Sequence, residues 1–590
     1  MRDPRKSLST AVMSAAAALS LLTACSATTA ETTATATTAI TAETMLTSTT
    51  ERPEDHDGAA DHEWDEADVV DLTLTGDTAT AADGVVVDGS TVTVTAAGTY
   101  RVSGSLDDGS LVVDTADDGI VRLVLDGVDI SSSTTAPVFV SEAEEVMVVL
   151  EDGSQNTLSD TETSVHPDAD DPNAALFSTA DLTIAGTGAL TVTSSYNDGI
   201  TSKDGLVITA GSITVDAVDD GIRGKDYLVV EGGDITVTAG GHALKSDDED
   251  DATVGYVSVA DATLDLTAGV DGINATSDVL ITSGRVTIAA ADDGVHADGA
   301  RTVTGGEVDV TESSEGLEGA LVTIDGGDIS IVASDDGINA AGGTTEGEGA
   351  QTGADADGAV PEAGMPAGGE VAAGGTRPEG GSRRPGGGEP PTDGKVPERP
   401  TDGTVPGGGR GQRAGGGAGM PGGGGDYHVA ISGGTILVDA GGDGIDANGD
   451  LTITGGTTVI HATNSGGDGA LDADGTMEIS GGVLLAVGGA QMLQAPVGTS
   501  GQATVTVTLT SAVREGTVLH VVRADGEVVA SVETVHDLSA VVLSSPDLVV
   551  GESYEIRTGG GLSGEVSGGR LADGDLEGTT VVGSGTATGE

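Results

Sequence analysis

DDGIRGKDYLVVEGGDITVTA, Asp219 to Ala239, decides the fold, because close variants of this line recur along the 590 residues. Taking the apolar residue after the Gly of the DGI phrase, or its counterpart in variant lines, as a marker gives Ile200, Ile222, Leu244, Ile273, Val295, Leu317, Ile338, Ile445, Leu471 and Leu493. The common step is 22 residues. Removing Ser246 to Ala252 (SDDEDDA) and the 85 residues from Ala341 to Gly425 restores that step at the two longest intervals. A fixed period of this kind is the mark of a solenoid, and insertions that leave it intact are loops thrown out from one corner.

Within each unit apolar and polar residues alternate. A short run around Ile208, Val230 or Ile281 is followed by a Gly-Gly or Ser-Gly corner and then an alternating pair such as Ile235 and Val237. Period-two runs of four to five residues broken by glycine read as strands and turns, and helix signals are missing. The expectation is an all-β, right-handed parallel β-helix of about 22 residues per coil, since parallel crossovers are almost always right-handed. Coils one strand spacing, about 4.8 Å, apart give ~15 coils and a rod on the order of 70 Å.

Working outward, the chain begins with Arg2, Arg5 and Lys6 and an apolar run from Ala11 to Leu22, too short to span a bilayer. It ends in Leu22-Thr23-Ala24-Cys25, which resembles a bacterial lipobox with Cys25 as the lipidated residue; Cys25 is also the only cysteine. Residues 26–66 are rich in Thr, Ala and Glu and read as a disordered tether. The parallel β-helix is expected over 67–500. Its insertion 341–425 holds ten of the chain's 17 prolines and reads as disordered. Longer alternating strands over 501–560 suggest a small antiparallel β cap, which an open row of edge strands requires. Residues 561–590 read as a flexible tail.

The chain carries 96 acidic against 23 basic residues, a net charge of −73, with one Trp, six Tyr and two Phe. Such a surface repels phosphate backbones, so no nucleic-acid partner is expected, and it opposes compaction unless cations intervene. Aligned by coil, acids precede the marker: Asp198, Asp219 with Asp220, Asp271, Asp292 with Asp293, and Asp335 with Asp336, with Asp443 and Asp468 continuing the edge. Like charges about 4.8 Å apart repel by roughly 3 to 4 kcal/mol at an effective dielectric near 20. Calcium, which takes six to eight oxygen ligands in loose geometry, is the expected cofactor between coils. The competing reading is that Asp simply favours turns followed by Gly. The acidic loop Asp247 to Asp251 is a second cation candidate.

One residue past the marker runs a second column: Thr201, Arg223, Lys245, Asn274, His296, Glu318, Asn339, Asp446 and Asp472. Arg223 and Lys245, with Lys225 and Lys203, form a basic cluster that either meets a sugar carboxylate or neutralises neighbouring Asp. Tyr227 and Tyr256 occupy equivalent positions and stack as a sugar-facing ledge or as packing. Trp64 falls in the tether and is not expected to contribute.

The succession VRLVLDGVDI, APVFVSEAEEVMVVLEDGSQNTLSD, ALFSTADLTIAGTGALTVTSSYNDGI, the DDGI coils and AVVLSSPDLVVGESYEIRTGG resembles a bacterial family of surface proteins, the carbohydrate-binding domain-containing proteins. The resemblance covers roughly residues 68–560 apart from the insertion. It implies a fold akin to pectate lyases, bound calcium, and binding of cellulose and of acidic, pectin-like polysaccharide. No catalytic spacing supports an enzyme: there is no Ser/His/Asp pattern, no HExxH and no phosphate loop. The expected protein is a monomeric, exported, lipid-anchored binder of polysaccharide at the cell surface. A lyase or hydrolase on the same scaffold, with Arg223, Lys225 or Lys245 as base, and a structural spacer are the alternatives.

Overall fold

The computed structural model describes residues 55–161, 172–341, 427–464, 467–496, 501–567 and 571–589. Cys25, most of the tether and the insertion lie outside the described residues. Among the described residues the fold is all-β apart from one 3-10 turn at Glu66–Asp68, and no helix is long and apolar enough to cross a membrane.

A long, mostly parallel sheet forms the body. One repeat contributes three strands, for example Ile222–Gly224, Tyr227–Val230 and Asp234–Ala239. Each pairs in parallel with its counterpart one repeat on: Ile222 with Leu244, Tyr227 with Tyr256 and Asp234 with Thr263. We call one such set of three strands a rung, and the lines of equivalent strands its three faces. The marker residues Ile200, Ile222, Leu244, Ile273, Val295, Leu317, Ile338, Ile445 and Leu471 form one buried ladder. Burying each such side chain stabilises by about 1.5–3 kcal/mol. Leu493, the last marker, packs against this core without forming a strand.

Glycine precedes most markers, with Ala243 and Ala470 before Leu244 and Leu471, and at Gly221 it has a steric cause. A Cβ at Gly221 would lie 2.3 Å from Val237 Cγ1 and 2.6 Å from the Ala243 carbonyl oxygen of the next rung, so no side chain fits. Pairing continues across both insertions. Leu321 meets His428 and Ile338 meets Ile445, so the rungs before residue 341 and after 427 stack directly.

The third face explains where the C-terminal region sits. Its outward line reads Thr191, Thr214, Thr236, Asp265, Thr287, Asp309 and Ser330, then turns apolar at Leu437, Val459 and Leu485. Val459 and Leu485 are buried with Val505, Val507, Leu519, Val541 and Tyr554. Over them Leu538–Ser544 pairs antiparallel with both Val483–Gly488 and Thr504–Val513. Parallel pairing therefore stops at an antiparallel strand.

Two expectations about flexible ends are corrected. The tail from 561 contains Gly561–Ser567, Leu571–Asp575 and Thr580–Thr586, the last paired antiparallel with Ser553–Thr558. The end of the tether, residues 55–66, lies on the second face of the body. There Trp64 packs against Val124, Met147, Val149 and Ala185. Val124, Met147, Val149 and Ala185 give this face an outward apolar patch, which the segment covers.

Candidate functional site

The acids expected in one column divide into two kinds. Asp219, Asp292 and Asp335 are exposed on the turn, whereas Asp198, Asp220, Asp271 and Asp293 are buried. The buried acids hold the rungs together. Asp220 N–H donates to Asp198 Oδ1 (3.3 Å), His242 N–H to Asp220 Oδ1 (2.9 Å), Asp293 N–H to Asp271 Oδ1 (2.9 Å) and Asp443 N–H to Asp336 Oδ1 (2.6 Å). Gly469 N–H donates likewise to Asp443. In five rungs one carboxylate oxygen is thus spent on the backbone of the next, which relieves part of the repulsion expected for a bare column. Sequence reasoning saw the spacing but missed this bond.

The second oxygen meets the neighbouring column, and its partner changes along the molecule. Toward the N-terminal end that partner is a donor or a cation. Thr201 Oγ1 donates to Asp198 Oδ2 (3.0 Å), Lys245 Nζ lies 3.1 Å from Asp220 Oδ2, and Asn274 Nδ2 donates to Asp271 Oδ2 (2.8 Å). The acidic loop closes on the same cluster: Asp247 takes Arg223 (2.5 Å) and Asp248 takes Lys225 (2.6 Å). The basic cluster is therefore occupied by Asp198, Asp220, Asp247 and Asp248, the neutralising arrangement. Burial works against the Lys245 charge, but Asp220 and Asp247 hold its ammonium above the ordinary lysine range.

In the middle, His296 Nδ1 lies 3.1 Å from Asp293 and 2.7 Å from Glu318. Burial disfavours the imidazolium, yet Asp293, Asp298 and Glu318 push its pKa up to about 12. Beneath this cluster sits Arg301, which the sequence reading did not single out. It occupies a core position between Val279 and Val322, is 1% exposed, and reaches over Gly319 to donate to the Ala297 carbonyl (2.5 Å). Its Nε and one terminal nitrogen have no partner, and burial lowers its pKa to about 9. The signal was available: an arginine where the ladder otherwise holds Leu, Val or Met, beside a glycine.

Toward the C-terminal end the cations run out. Asp336, Asp443 and Asp446 bring carboxylate oxygens within 4.8 Å of one another. Burial, then neighbouring carboxylates, raises all three, Asp443 to about 6 and Asp446 to about 7. Asn339, in register with Asp446, is 7% exposed. It donates Nδ2 back to Glu315 (2.8 Å), and its buried Oδ1 has no partner. Three carboxylates are a hard-oxygen donor set that fits calcium, and Asn339 is the register neighbour of one of them. Of the acids expected to hold a cation, Asp336 joins this group and Asp293 joins His296 and Glu318.

Tyr227 and Tyr256 do stack, with ring centroids 5.5 Å apart and planes 16° from parallel. They are 7% and 4% exposed. The Tyr227 ring also leans over Gly205, and its hydroxyl accepts from the His56 backbone N–H (3.0 Å). The pair is packed and covered rather than presented as an open ledge.

Residues 88–359 match the family model described as "Carbohydrate-binding domain-containing protein". A curated relative of that description from Acetivibrio thermocellus is 42% identical over 137 residues, 23% of this chain and 48% of the relative. The chain thus spans about half the length of the curated relative it matches. A solved chain described as "Structure of the polysaccharide lyase-like protein from C. thermocellum, Gadolinium derivative" is similar at 34% identity and a TM-score of 0.39, the match covering 40% of this chain and 96% of that one. The likeness to carbohydrate-binding domain-containing proteins read from the sequence holds in both sequence comparisons.

Proposed function

We propose that this chain is a calcium-assisted, non-catalytic polysaccharide-binding protein, exported and held at the cell surface by lipid on Cys25. The observation that carries the carbohydrate reading is the family match over residues 88–359. The winding that supports it is a right-handed parallel β-helix of about 22 residues per coil, which sets equivalent side chains one above another. The cation reading is supported by the crowded, unneutralised acids Asp336, Asp443 and Asp446 and by the partnerless Asn339 oxygen. Calcium held by the three carboxylates would supply positive charge to a uronate carboxylate that the acidic surface otherwise repels.

Binding without chemistry is the better supported reading. A lyase needs a base able to accept a proton, and Lys245 is held protonated by Asp220 and Asp247. Arg223 is likewise paired with Asp247, which keeps its guanidinium charged. The test is retention on pectate and cellulose columns with calcium and with chelator, while absorbance of unsaturated uronide is followed. Calcium-dependent retention of acidic glycan without ultraviolet product is expected. Product release would replace the binder by a lyase, and retention on no glycan would leave a surface spacer.

A further inference from the structure

The arm at residues 55–68 changes where the upstream chain leaves the body. It is fastened at four places. His56 bonds Tyr227 Oη through its backbone N–H (3.0 Å) and Nδ1 (2.9 Å), and Thr183 Oγ1 through Nε2 (2.9 Å). Arg122 Nε donates to the Asp61 carbonyl (2.6 Å). Trp64, the only tryptophan in the chain, packs on Val124, Met147, Val149 and Ala185. Arg101 holds Glu66 (2.9 Å).

These contacts step along the rungs rather than along one strand. The strand that follows the arm, Val70–Gly76, pairs with Gly98–Leu106, which pairs with Ile120–Ser132, then Glu145–Leu150, Asp181–Gly186, Gly205–Ile208 and Tyr227–Val230. From Val70 back to His56 the arm therefore crosses six strand spacings, about 29 Å. Fourteen residues reach that far without being fully extended.

We propose that residues 55–68 are a docking arm that moves the exit of the upstream chain from the tip of the parallel body to its flank, so that the protein is carried side-on. Combined with the lipid-anchor reading, on which the surface orientation rests, the arm turns the second face toward the membrane. The acid column and the threonine-lined third face, on the other two strand lines, stay accessible to a polymer lying over the surface. Release of the arm would return the pivot to Val70 and let the body stand on its end.

The experiment uses the full chain with Cys25→Ser and pairs of spin labels. Asp55→Cys is combined with Glu231→Cys, on the flank after Tyr227–Val230, or with Asp77→Cys, after the first strand. The 55–231 distance is expected to be the shorter, with His56→Ala broadening it and raising quencher access to Trp64 roughly five- to tenfold. A 55–77 distance shorter than 55–231, or Trp64 as accessible in the parent as in the unfolded chain, overturns the proposal. Mass analysis of the native protein tests the anchor separately: an unmodified Cys25 would remove the membrane orientation and leave the docked arm standing.

Discussion

The rungs around Arg223 and those around Asp446 share one backbone plan but differ in the column that faces the buried acids. Register places Thr201, Arg223, Lys245, Asn274, His296, Glu318, Asn339, Asp446 and Asp472 in line. Where the column supplies Arg223 and Lys245, the buried acids are neutralised from within. Where it supplies Asn339 and Asp446, carboxylates face one another with no cationic side chain among them. The same fold therefore carries its own counter-ions around Arg223 and Lys245, and on the proposed calcium reading would take them from solution around Asp446.

The most disruptive way to break this contrast is Lys245→Met. It leaves Asp220, whose side chain is 6% exposed, without its 3.1 Å partner. Removing one member of a buried pair costs about 3–5 kcal/mol. Urea unfolding should show a loss near the lower figure, because Asp220 keeps the His242 N–H, and millimolar calcium should restore part of it. An unchanged midpoint would mean that the pair contributes nothing.

The converse substitution is Asp446→Lys, at the register position that Lys245 holds five rungs earlier by way of Asn274, His296, Glu318 and Asn339. In chelator it should stabilise by about 1–2 kcal/mol through relief of like-charge crowding. In the parent chain, calcium at a hundred times its Kd should add about 2.7 kcal/mol, and this gain should vanish in the variant. Calorimetry with and without chelator checks both arms. A parent melting curve indifferent to calcium would remove the cation site.

Much of this contrast was legible in the residue order. A constant period aligns equivalent residues, so the residue order alone carries the two columns and the change from Arg223 and Lys245 to Asp446 and Asp472. The interruption of the period by Asp247 to Asp251 was legible too, but its destination was not. A loop that folds back onto Arg223 and Lys225 obeys no repeat. The role of Asp220 and its equivalents was hidden because a side-chain bond to the next rung's N–H looks, in sequence, like any turn aspartate. The arm was least legible: seven acids from Asp55 to Asp68 read as a solvated linker, and His56 meets Tyr227 171 residues away. A lone tryptophan in an acidic linker was the one clue that the segment docks. The terminal strand Thr580–Thr586 escaped notice because its burial is partial and its alternation weak.

The arm supplies a third, gentler version of the same contrast, with acids meeting acids across a docked segment. Glu145 faces Asp57 and Asp61 of the arm, Asp181 of the adjoining strand, and Arg122; burial and those three acids raise it to about 7. Asp181 is raised to about 6 by burial and Asp204. Glu145 binds its proton more tightly when the arm is down, so docking should strengthen as pH falls from about 8 to about 6 and be lost in the opposite direction. His56 carries the other sign. Burial lowers its pKa against the pull of Asp57, Asp55, Asp204 and Asp61, so the docked arm prefers neutral imidazole and weakens below the ordinary value of 6.5. Trp64 quenching should therefore pass through a minimum in mildly acidic solution, with a few-fold change on either side. Glu145→Gln should flatten the alkaline limb and His56→Gln the acidic one. A profile level from pH 8 to pH 5 in the parent would show that the facing acids play no part in holding the arm.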